Sequence, residues 1–219
     1  MCCSKCIEYW KDGWNKPFWN DGWILNVTRI LFWFFQKLSI IRFIVFCKHR
    51  KYGVDYRKGY HAVDWYVFSW FLVEFILLIL LANFYDLAHN IAFVILSRLL
   101  ISYRLFDIFQ AWVSQFVLGG VPPGWKPINI YRSLVLVFIG YIEIIISYAL
   151  FAFVSNAHFD GITNWQQALY YSLRNAATIG TDWHPITFLG YTIFGTQIMF
   201  VLLFLTAVVN TIISHTVRR

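Results

Sequence analysis

Four ionisable side chains stand in stretches otherwise too apolar to carry them: Glu74, Arg98, Arg104 and Glu143. A charge in a bilayer interior is costly, so each should pair or face water. A second irregularity is the segment NAATIGTDWHP, Asn175 to Pro185, which lies between two long apolar runs. Its threonines, glycine, acid and proline do not suit lipid. Irregular backbone is excluded from lipid because its unpaired N–H and C=O groups are expensive there. It is tolerated only where it lines water or is buried in protein. No nucleophile–base pair, phosphate-binding loop or zinc-ligand spacing accompanies these features, so enzyme chemistry is not expected.

The elements that must position these residues are apolar helices. The chain has 219 residues, 59% hydrophobic and 21% aromatic, with 13% charged. That charged fraction is about half of what soluble domains carry. Several runs reach the roughly 20 residues needed to cross a bilayer, so an integral membrane protein is expected. The net charge of +7 clusters beside the apolar runs, which is the ordinary orientation signal and argues against nucleic-acid binding. The start, MCCSKCIEYWKDGW, offers no continuous apolar stretch for a cleaved signal peptide. Cys2, Cys3, Cys6 and Cys47 fall in cytoplasmic segments and read as reduced thiols, with acylation as the alternative for the first three.

The organisation follows from length and charge. Residues 1–60 form an N-terminal segment. Its tryptophans, Trp10, Trp14, Trp19 and Trp23, suit an interfacial belt, and residues 24–47 read as a helix lying in the interface. The basic loop Lys48–Lys58 should face the cytoplasm. Residues 61–118 read as a helical hairpin, with spans at His61–Tyr85 and about Ile91–Phe109, and an amphipathic extension. GGVPPGWKP, dense in proline and glycine, breaks the helix. Residues 119–219 contain spans at Ile130–Val154 and Gly190–Ser214 with a long connection between them. The fold class expected is all-α, with four transmembrane helices, an interfacial N-terminal helix and a re-entrant helix. Both termini would be cytoplasmic, in a plasma or bacterial inner membrane.

NWQQALYYSLRN, Asn164 to Asn175, should form the re-entrant helix. Twelve residues of helix reach about 18 Å, enough to enter a bilayer and not enough to cross it. TIGTDW would then return as extended chain. Span, short helix, TIG segment and span together resemble the pore module of tetrameric potassium-type channels, from about Tyr131 to Ser214. Thr178, Ile179, Gly180, Asp182 and Pro185 match that family's pattern, whereas Thr181 replaces its aromatic and its second glycine is missing. In the family a threonine hydroxyl and successive carbonyls replace the hydration shell of the ion. The resemblance implies a homotetramer in which Thr178, Ile179, Gly180 and Thr181 line a filter, with Asp182 at its outer mouth. It also implies K+ or another monovalent cation as permeant ion. The missing glycine leaves fewer positions for inward carbonyls, so weak selectivity is expected.

Thr206, Asn210 and Ser214 recur at four-residue intervals on the last span, and by the same resemblance would line an inner cavity. The alternative is a helix-packing stripe. Glu74 lies at the depth of Arg98 and Arg104, and a short hairpin makes their spans antiparallel neighbours, so a Glu74–arginine pair is expected. Glu143 is given no partner. Two function classes remain: a small cation channel, or a non-conducting membrane sensor or anchor that recruits a cytoplasmic partner protein, for example in bacterial phage defence.

Overall fold

The computed structural model describes residues 56–84, 90–113, 130–180 and 182–216, with side chains described over 64–84, 90–113, 131–180 and 182–209. The expected interfacial helix at 24–47, the cysteines and the GGVPPGWKP break lie outside the described residues. Every regular element among the described residues is helical. In chain order these are α1 (Tyr56–Asn83), α2 (Ile91–Trp112), α3 (Ile130–Phe153), a 3-10 turn (Asn156–His158), α4 (Trp165–Ala176) and α5 (Phe188–Thr216).

Three stretches are long and apolar enough to cross a membrane: Asp64–Asn83, Tyr131–Phe153 and Phe188–Val209. Their lengths of 20, 23 and 22 residues match a hydrocarbon core of about 30 Å at about 1.5 Å per residue. The fourth expected span, α2, has 22 residues. It differs in carrying Arg98, Arg104 and Asp107, all buried or half-buried. Asn90 caps it, its Oδ1 accepting from the backbone N–H groups of Ala92 and Phe93.

The chain divides into two units. One comprises residues 1–66 with 110–128, of which only helical residues 56–66 and 110–113 are described. The other comprises residues 67–109 with 129–219 and holds all the residues considered below. At its centre α3 packs against both α4 and α5. Tyr141 of α3 stacks on Phe204 of α5 with ring centroids 4.0 Å apart. Ile144, Tyr148, Leu150 and Ala152 of α3 are at most 2% exposed.

Candidate functional site

α4 is built from local rules before any tertiary contact. Asn164 stands at its N-cap in extended conformation and accepts from the backbone N–H of Gln167, 2.9 Å, while the Gln167 side chain returns to the N-cap N–H. This reciprocal box satisfies donors that a helix start leaves orphaned. Ala168, Tyr171, Ser172, Asn175 and Ala176 are buried, a spacing of three and four that defines one helical face. Tyr171 is wholly buried, and desolvation pushes its phenol above its ordinary value, so it is neutral.

That face is fastened to both flanking spans by polar groups. Gln197 on α5 is wholly buried. Its Nε2 donates to the Ser172 carbonyl at 2.9 Å and to Ser172 Oγ at 2.8 Å, and its Oε1 accepts from Asn175 Nδ2 at 2.7 Å. Ser172 Oγ donates to the Ile145 carbonyl of α3, 2.7 Å, and the Tyr141 hydroxyl donates to the Ala176 carbonyl, 3.0 Å. A polar side chain in an apolar span must find such partners or pay for desolvation. In the sequence Gln197 stands out only by its isolation in an apolar helix, which does not reveal its pairing with α4.

The end of α4 turns the chain sharply. The N–H of Ile179 donates to the Arg174 carbonyl and the N–H of Thr178 to the Asn175 carbonyl. This is a Schellman turn, which places a left-handed residue just past the helix end. Here that residue is Thr178, with φ of 58°, where glycine is usual. A β-branched residue with positive φ is a real outlier. Gly180 follows with φ of 80°. Positive φ thus falls at alternate positions, Thr178 and Gly180, with Ile179 between. Ala177–Gly180 are exposed in the single chain, Ile179 by 69%. Thr181 lies outside the described residues.

Beyond this segment the chain is held by the loop that follows α3. Phe159 pairs antiparallel with Pro185, the Asp160 N–H donating to the His184 carbonyl and the Ile186 N–H to the His158 carbonyl. Gly161, with φ of 82°, lets the Trp183 ring approach so closely that a Cβ there would sit 2.6 Å from it. Asp182 is 95% exposed and lies 3.8 Å from Arg174, whose guanidinium also rests over the Tyr170 ring. An exposed pair of this geometry contributes little stability.

The buried charges gather on α1, α2 and α3, and their pairing corrects the expectation. Arg104 pairs with Glu143 and with Asp107, the latter at 3.3 Å. Among the described residues Glu74 makes no ion pair; its Oε1 accepts from Ser147 Oγ at 2.6 Å. Arg98 reaches the Val154 carbonyl at 2.8 Å, where a cation offsets the partial negative charge at the end of α3. Arg98 therefore serves a helix end, and Arg104 serves Glu143 and Asp107. On α5, Thr206 is exposed and donates to the Leu202 carbonyl; the side chains of Asn210 and Ser214 lie outside the described residues.

No family model, no curated protein and no solved structure matches this chain.

Proposed function

We propose that the chain forms a small, weakly selective cation channel as a homotetramer, similar in plan to the pore module of potassium-type channels. The observation that carries the reading is α4 with its turn. A helix too short to cross is capped at its start and fastened between two spans. It delivers an exposed segment with positive φ at alternate positions. Such alternation turns successive carbonyls toward one side, as a ring of cation-coordinating oxygens requires. The C-terminal end of α4 also carries partial negative charge, roughly half an elementary charge, beside this segment.

In this reading α2 crosses as a fourth span, its charges satisfied within the protein, and α4 enters the membrane without crossing. Four copies are needed because one Thr178–Asp182 segment cannot close a ring. The open face of α5 supports the assembly: Thr192, Gly195, Met199, Leu202, Thr206 and Val209 are exposed at intervals of three and four. Small residues on such a face allow close helix approach in a membrane.

A second reading, a non-conducting sensor or anchor, is favoured by one contact. Arg174 places a guanidinium within 3.8 Å of Asp182, a positive charge beside a segment meant to attract cations. Flux from purified protein in liposomes separates the two. The channel reading expects potassium and sodium to pass at comparable rates, and to stop when Thr178 or Gly180 is replaced by tryptophan. Absence of flux for every monovalent cation, with a tetramer present, leaves the anchor.

A further inference from the structure

Among the buried acids of the described residues, Glu74 alone makes no ion pair. Glu74, Glu143 and Ser147 are wholly buried, and Asp107 and Arg104 are at most 2% exposed. The two terminal nitrogens of Arg104 are engaged by Asp107 and Glu143. The charged groups facing Glu74 are Glu143 of α3 and Arg104 of α2, one repelling a second carboxylate and the other already shared. Oε2 of Glu74 and Oε1 of Glu143 have no hydrogen-bond partner. An ionised Glu74 would thus be a buried carboxylate supported by a single hydroxyl, beside another carboxylate. Buried charge without a compensating partner is the arrangement proteins avoid.

The orphan oxygen points to a ligand that supplies one positive charge and needs almost no coordination. A metal ion needs several oxygens, and among the described residues no group of three or more acid, histidine or cysteine side chains is placed to hold one. A proton needs one oxygen. The Ser147 hydroxyl suits either state, because it can donate to a carboxylate and also accept from a carboxylic acid.

We propose that Glu74 and Ser147 form a proton-binding site inside the helix bundle. An O–H bond forms at Glu74 when hydronium or water gives up a proton to it; on release that bond breaks and an O–H bond forms on the accepting water or hydroxide. It rests on the surroundings of Glu74 and is independent of whether ions pass beside Thr178.

Infrared difference spectroscopy on the full chain in lipid nanodiscs, titrated from neutral to alkaline pH, tests it. The expected result is a protonated-carboxyl band at neutral pH that moves in heavy water and fades as pH rises. It should be lost in Glu74→Gln. Ser147→Ala should keep the band and shift it, since the neighbouring hydroxyl is gone. The proposal is overturned by a wild-type protein with no such band at neutral pH, by a band that survives Glu74→Gln, or by one that Ser147→Ala leaves in place unshifted. It is also overturned if sodium or potassium chloride removes the band at fixed pH, because a metal cation would then be the ligand.

Discussion

Nη2 of Arg104 lies 2.5 Å from Oε2 of Glu143, and the two side chains join α2 to α3 where neither is more than 2% exposed. Removing one partner from an isolated buried pair costs about 3–5 kcal/mol, but Arg104 also holds Asp107. Glu143→Leu should therefore cost less than that, because the guanidinium keeps one carboxylate. Glu143→Gln keeps an acceptor and should cost clearly less. Reversible unfolding in mixed micelles measures both; equal losses would mean that the charge contributes nothing.

Ser147→Ala should destabilise by about 1–3 kcal/mol, the usual cost of leaving a buried acceptor unsatisfied. An unchanged Ser147→Ala melting temperature would show that the hydroxyl adds nothing to Glu74.

Gln197→Leu removes all three bonds that α5 makes to Ser172 and Asn175. α4 should loosen, exposing a cysteine introduced at Ala168 to a water-soluble thiol reagent. The Gln197→Leu protein with that cysteine still unreactive would show that Tyr141 and Ile145 suffice to hold α4.

Thr178→Gly should stabilise the chain by about 0.5–1 kcal/mol, since glycine adopts the left-handed conformation freely while giving back some of the gain as lost chain entropy. If Thr178 also supplies an oxygen to passing ions, the same variant should alter selectivity. A loss of stability would mean that the Thr178 hydroxyl bond to the Ala177 carbonyl, 2.7 Å, outweighs the strain.

If the chain conducts as proposed, Asp182→Asn should lower cation conductance most at low salt. A ring of exposed carboxylates concentrates cations only while its field is unscreened, over about 30 Å at 0.01 M ionic strength but about 3 Å at 1 M. An effect of equal size at both salt concentrations would place Asp182 away from the mouth.

Helix limits were legible in the sequence because length and periodicity fix them. The short helix expected at Asn164–Asn175 is found at Trp165–Ala176, and the span expected at Ile130–Val154 at Ile130–Phe153. The partners were less legible. Counting residues from a hairpin gives a charge its depth but not the direction in which it points around the helix. Glu74 and Arg104 are both buried, but Arg104 pairs with Glu143 and Asp107 rather than with Glu74. Nor does composition mark Thr178 as left-handed, since threonine ordinarily avoids that region. Only the helix end beside it and the bonds of Ile179 to Arg174 impose it.

The fastening of α4 by Gln197 also sets an order of events during synthesis. Ser172 and Asn175 emerge from the ribosome before their partner on α5. Until α5 is made, Asn175 lacks its Gln197 acceptor. The packing of α4 therefore becomes secure only after α5 has been synthesised. A chain halted before α5 should keep α3, leave residues 164–180 unfastened, and be degraded faster than a chain that includes α5.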